Sequence, residues 1–234
     1  MRNNITVCVP IRCTTFEEVV NSAKKSLLEG ADMVEVWLDS LPFTYDVSRK
    51  DQKLLNELFS LIDLPILCVN KGDIEHGSFD GSEEARVGLL CKAVIAGVDF
   101  VDIGIHTSKD LVQNLKNVIE ENGGITQIII SYHNFEKTPL FDELKAVVQT
   151  ADELGADIIK ISTYATEESD NDVIFAMLDL IHKEGKKGIG VCMGENGARS
   201  RIDSHNHGSQ WTYAALDEDS KTATGQITIN ELHG

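Results

Sequence analysis

Short apolar runs alternate with longer amphipathic ones along the whole chain. Ile5–Arg12 (ITVCVPIR) reads as a strand. Thr15–Gly30 follows with apolar positions at helical spacing. Thr15 and Glu18 match a capping box there, and Gly30 supplies a stop. The same alternation predicts strands at Met33–Asp39, Pro65–Lys71, Phe100–Ile105, Thr126–His133, Asp157–Thr163, Lys187–Gly194 and Trp211–Leu216. Between them fall helices at Val47–Ile62, Ser82–Gly97, Ser108–Gly123, Leu140–Gly155 and Ser169–Gly185. A weak helix over Ala198–His205 and a short last one over Ile227–His233 complete the series.

The strand runs are apolar almost throughout rather than alternating. That pattern means burial on both faces, which is the property of parallel sheets covered by helices. Eight strand–helix units favour closure into a (β/α)8 TIM barrel, an α/β fold, over an open doubly wound sheet. No linker, low-complexity tract or composition break interrupts residues 1–234, so a single barrel domain is expected.

Composition sets limits on partners. The chain has 234 residues, 42% hydrophobic and 25% charged, as in ordinary globular proteins. Its formal net charge of −17 repels phosphate backbones and anionic lipid, so neither nucleic acid nor membrane is an expected partner. No apolar window approaches a bilayer span, and no secretion signal is read at the start, so a cytoplasmic protein is expected. Cys8, Cys13, Cys68, Cys91 and Cys192 are odd in number and scattered, which reads as reduced thiols. His205 and His207 have no third ligand at metal spacing, so no metal is expected.

In such barrels chemistry sits at the C-terminal ends of the strands, where Glu35, Asp39, Lys71, His133, Lys160 and the Met193–Gly194 turn leading to Arg201 lie. Lys160 interrupts the apolar run DIIKIST. A lysine kept from water loses its charge readily and becomes a Schiff-base nucleophile; the structural alternative is a salt bridge to Glu35 or Glu75. His133 ends IIISYH and could move protons near neutral pH, although a lone histidine is more often structural. Glu75 lies in a glycine-containing loop where solvation is the usual fate. Lys71 and Arg201 could bind a carboxylate or form surface ion pairs. GENG at 194–197 is too short for a dinucleotide fingerprint.

The segments ADMVEVWLD, EHGSFDGSEEAR, ISYHNFEKTP, GADIIKIS, MGENGARSRI and ATGQI occur in this order. Together they resemble the type I 3-dehydroquinate dehydratases of the shikimate pathway, from about Val7 to about Ile227. The resemblance implies a barrel, usually a homodimer, that needs no cofactor and acts on the anionic substrate 3-dehydroquinate. It implies Lys160 as the Schiff-base lysine, His133 as general acid and base, and Glu75 as the group orienting that histidine. Arg201 would clamp the substrate carboxylate, and Glu35 and Gln226 would be further substrate contacts. Four positions depart from the pattern. Trp37 stands where the second strand is expected to carry arginine, and Lys71 where the third strand ends in arginine. Thr222 replaces a serine and Gly104 a glutamate. The chain also starts almost at the first strand, so the hairpin that often plugs the barrel floor is expected to be absent. A class I aldolase-type lyase also uses a strand lysine. A non-catalytic metabolite-binding relative is the reading that Trp37 and Lys71 motivate. An ultraviolet-absorbing enone product separates dehydration from both.

Overall fold

A computed structural model describes residues 5–45 and 49–233. Its contacts divide the chain into two compact units, one of residues 10–128 and one of residues up to 9 together with 129–234. Strand β1 (Val7–Ile11) and strand β5 (Gln127–Asn134) each cross a unit boundary.

The 10–128 unit carries strands β2 (Met33–Trp37), β3 (Ile66–Val69) and β4 (Phe100–Gly104), paired in parallel in that order. Helices α1 (Phe16–Glu29), α2 (Arg49–Phe59), α3 (Glu83–Ile95) and α4 (Lys109–Glu121) alternate with them. The expected capping box is present. Thr15 accepts from the Glu18 backbone N–H, the Glu18 carboxylate accepts from the Thr15 backbone, and Gly30 closes α1 at φ 91°. Ser82 and Ser108 cap α3 and α4 by accepting from the Ala85 and Leu111 backbone N–H groups. Residues 47 and 48, placed at the start of the second helix by periodicity, lie outside the described residues.

The other unit carries β6 (Ile158–Tyr164), β7 (Lys187–Met193) and β8 (Thr212–Tyr213), with helices α5 (Phe141–Glu153), α6 (Asp170–Lys183), α7 (Ala198–Asp203) and α8 (Ile229–His233). β5, β6 and β7 pair in parallel, and Val7 and Cys8 of β1 pair in parallel with Thr212 and Tyr213. β1, β3 and nearly all of β6 are buried on both faces, as their unbroken apolar runs require.

β8 is shorter than the six residues expected from WTYAAL. Ala214 still donates to the Cys8 carbonyl, but Ala215 turns to bridge Thr228 and to bond the Ile227 carbonyl. The segment is apolar because it is packed on both sides, not because it is all strand.

Candidate active site

Lys160 lies in the middle of β6 and is 6% exposed. Register places Ser131 of β5 opposite Lys160, and His133 opposite Ser162. Residues two apart on a strand share a face, so Lys160 and His133 share one, as diagonal neighbours roughly 7–8 Å apart at the backbone. The Lys160 ammonium sits 4.6 Å from the centre of the Tyr213 ring. Tyr213 thus closes one side of the amine with an aromatic face, and its own backbone is held by β1. His133 is half-buried and stacks on Phe135 at 5.8 Å.

The turn after β7 is built to hold Arg201. The Ser200 hydroxyl accepts from the Cys192 N–H at 2.8 Å, and the Ser200 N–H donates to Asn171 on α6 at 3.0 Å. Asn171 also donates to the Asn196 carbonyl at 2.7 Å. These bonds fix the first turn of α7 to β7 and α6, and Arg201 follows at once. Arg201 is 2% exposed, and among the described residues its buried Nε has no hydrogen-bond partner. Burial lowers its pKa from 12.5 to about 10, with the nearby Cys192 acting weakly the other way. The side chain is thus a fixed cation withdrawn from water.

Thr222 and Gln226 meet in the loop before α8. The Gln226 amide oxygen accepts from the Thr222 backbone at 2.8 Å and from its hydroxyl at 3.3 Å. The Gly194 N–H donates to the Thr224 carbonyl at 2.9 Å. This approach is so close that a side chain on Gly225 (φ 73°) would lie 2.2 Å from the Gly194 carbonyl oxygen.

In the 10–128 unit a charged cluster forms at the C-terminal ends of β2–β4. Lys71 is buried, not a surface cation. Its ammonium donates to Glu75 at 2.8 Å and to Asp102 at 2.5 Å, with all three side chains almost fully covered. Glu75 is buried as well, against the usual fate of a loop glutamate. The loop that carries it folds back tightly: Gly77 and Glu75 both donate to the Gly72 carbonyl, and Phe79 donates to the Lys71 carbonyl. Asp102, on β4, was not singled out by sequence reasoning. The signal was there, since it interrupts the apolar run FVDIGI as Lys160 interrupts its own strand. Trp37 donates its indole N–H to buried Glu35 at 2.9 Å. Asp39 accepts from the Lys71 and Ser78 backbones. His205 and His207 lie elsewhere: His205 contacts the Ile202 carbonyl, and His207 pairs with Asp179 and stacks on Phe175. Among the described residues no helix is long and apolar enough to cross a membrane.

The chain is thus a parallel α/β protein that carries a buried mid-strand lysine and a histidine on one strand face, and comparison with known proteins gives its family. The type I 3-dehydroquinase profile matches residues 7–234, and the chain belongs to that family. A 3-dehydroquinate dehydratase from Desulfotalea psychrophila is 34% identical over 228 residues, covering 97% of this chain and 95% of that protein. The structure of a type I 3-dehydroquinate dehydratase from Clostridium difficile is 27% identical, with a TM-score of 0.86 over 97% of this chain and 89% of that one. The enzyme from Geobacillus kaustophilus gives a TM-score of 0.88 at 23% identity, over 98% and 89%. The fold is therefore the (β/α)8 barrel expected from the strand–helix alternation.

Proposed function

We propose that this chain dehydrates 3-dehydroquinate to 3-dehydroshikimate through an imine on Lys160, with residues 1–234 acting as one catalytic domain. The activity itself is that of the family to which the chain belongs. The observation that carries the assignment of residues is the amine of Lys160, buried on the face that also carries His133.

The neutral amine of Lys160 attacks the C3 ketone. Water leaves as the imine forms, with His133 supplying the proton. The protonated imine draws electrons from C2, and His133 removes the C2 proton to give an enamine. The enamine expels the C1 hydroxyl as His133 returns the proton, and water is lost. Hydrolysis of the imine consumes a water molecule and frees Lys160. One water is lost overall. Glu75 orients His133, and Lys71 and Asp102 hold Glu75 in place. Arg201 takes the substrate carboxylate, and Thr222 and Gln226, which hydrogen-bond each other, are further substrate contacts. Glu35, Trp37 and Lys71 complete the substrate-binding set. The working form is a homodimer in the cytoplasm, and light scattering checks its size.

Borohydride added with substrate should trap an adduct on the Lys160 peptide; recovery of that peptide unmodified from an active preparation refutes the imine route. His133→Ala should lower turnover by about 10²–10⁴-fold while an adduct still forms. The assay is the rise of the product enone in the ultraviolet.

A further inference from the structure

We propose that Tyr213 is a positioning residue of the dehydration: the face of its ring holds the positive charge that the Lys160 nitrogen carries as ammonium and again as protonated imine. The inference rests on the dehydratase reading above and adds a residue that no motif used there contains.

The Lys160 ammonium lies 4.6 Å from the centre of the Tyr213 ring, inside the roughly 6 Å at which a ring face attracts a cation. Both residues are 6% exposed. Water screens little there, so the attraction falls toward the upper end of its range. The ring is held at the nitrogen because its backbone is pinned on both sides. Tyr213 pairs with Cys8 of β1, and the next N–H, of Ala214, donates to the Cys8 carbonyl at 3.1 Å. The preceding Thr212 hydroxyl donates to the Arg201 carbonyl at 2.8 Å, which ties β8 to α7. Consecutive strand residues point to opposite faces, so this tie and the ring do not compete for space.

Register shows what else shares the face of Lys160 within this unit. β7 presents Ile189, Val191 and Met193, with Lys187 exposed at its far end. β5 presents Ser131 and His133, and β6 itself Ser162 and Tyr164. The titratable groups on that face are thus His133, Tyr164, Lys187 and Tyr213. His133 has to take and return a proton during the reaction. A ring face supports a cation without taking its proton.

Charge on the Lys160 nitrogen comes and goes. Attack on the ketone needs the amine neutral. Loss of water from the adduct, with a proton from His133, leaves one positive charge on the imine nitrogen. Removal of the C2 proton passes that charge to His133 and leaves a neutral enamine. The C1 hydroxyl takes the proton back from His133 and departs as water, and the charge returns to the nitrogen of the conjugated imine. A ring face fixed at the nitrogen favours each charged form over the neutral ones on either side of it.

The test compares wild type with Tyr213→Phe, Tyr213→Leu and a graded series of fluorinated phenylalanines at position 213. Borohydride traps the Lys160 imine at saturating product, from neutral to alkaline pH. Adduct yield falls as the nitrogen loses its charge, and anything that favours the charged form raises the pH of that fall. Tyr213→Phe keeps a ring face and should leave the midpoint within about 0.3 units. Tyr213→Leu should lower it by about 0.5–1.5 units. Fluorine withdraws electrons from the ring face with little change of volume, so the midpoint should fall stepwise with each added fluorine. A ring with a merely structural role would not respond to fluorine count. A midpoint that stays flat across the fluorinated rings would overturn the role of Tyr213, while wild-type turnover and the Lys160 adduct left the dehydratase reading intact. Thermal melting checks folding, and the fluorinated rings decide the question even where the leucine variant fails to fold. A wild type with neither turnover nor adduct would overturn both.

Discussion

Replacing Arg201 by methionine should stabilise the free protein while destroying its affinity for substrate. The cation is 2% exposed and its Nε lacks an acceptor, so folding strips it of water without compensation. A guanidinium lowered from 12.5 to about 10 marks the cost. At about 1.36 kcal/mol per pH unit, the charged form is disfavoured by about 3 kcal/mol. Methionine has a similar reach, no charge and an apolar stem. A gain on the order of 1–3 kcal/mol follows, or a Tm rise of roughly 2–12 °C for a chain of this size. The pH dependence has a definite sign. Between pH 10 and 12.5 the unfolded chain holds this proton more tightly than the folded one. Wild-type stability relative to the variant should therefore recover as pH climbs through that window, and the deficit should be fully present at neutral pH. Differential scanning calorimetry of both proteins, with and without product, checks the argument. Product should raise the Tm of wild type and leave that of the variant unmoved. A variant that melts several degrees below wild type would refute the reasoning, because it would mean the guanidinium is already satisfied in the free protein.

Lys71 is a buried cation of the opposite kind. Lys71→Met removes the buried cation that Glu75 and Asp102 share and should cost about 3–5 kcal/mol by denaturant unfolding. Lys71→Met combined with Asp102→Asn should cost less than the sum of the single changes; strict additivity would deny the pairing. Gly225→Ala forces a side chain to within 2.2 Å of the Gly194 carbonyl at a positive φ. It should displace the loop carrying Thr222 and Gln226 and raise KM at least about tenfold, with trapping of Lys160 retained at high substrate. Burial raises the thiol pKa of Cys13, Cys68, Cys91 (to about 11) and Cys192, but Cys13 is only half-buried and so the more accessible to reagent, while the other three are buried. A short pulse of iodoacetamide on the native protein should label Cys13 first, and peptide mass spectrometry would reveal any other order.

Much of this molecule is legible in local pattern. Thr15, Glu18 and Gly30 mark α1 at both ends because capping satisfies backbone groups within a few residues. The unbroken apolar runs of β1, β3 and β6 announce parallel pairing, because a strand covered on both faces has no polar side to show. Lys160 stands out for the same reason, as a charge in a run that excludes charge. Asp102 obeys the same logic and could have been found the same way.

Other features arise only when distant segments pack. Whether Lys71 meets water or two carboxylates depends on a fold-back of the 72–79 loop and on β4, some thirty residues away in the chain. Whether Arg201 is satisfied depends on how Ser200 and Asn171 seat α7, and the residue type is silent on that. Arg12 ends the first strand run in sequence; the stacking of its guanidinium on Trp37 and its tie to Ser78 come from positions far along the chain. Periodicity and capping are written in neighbours because backbone geometry is local. Charge pairing and desolvation depend on what surrounds a side chain in space, and that is set when segments distant in sequence pack together.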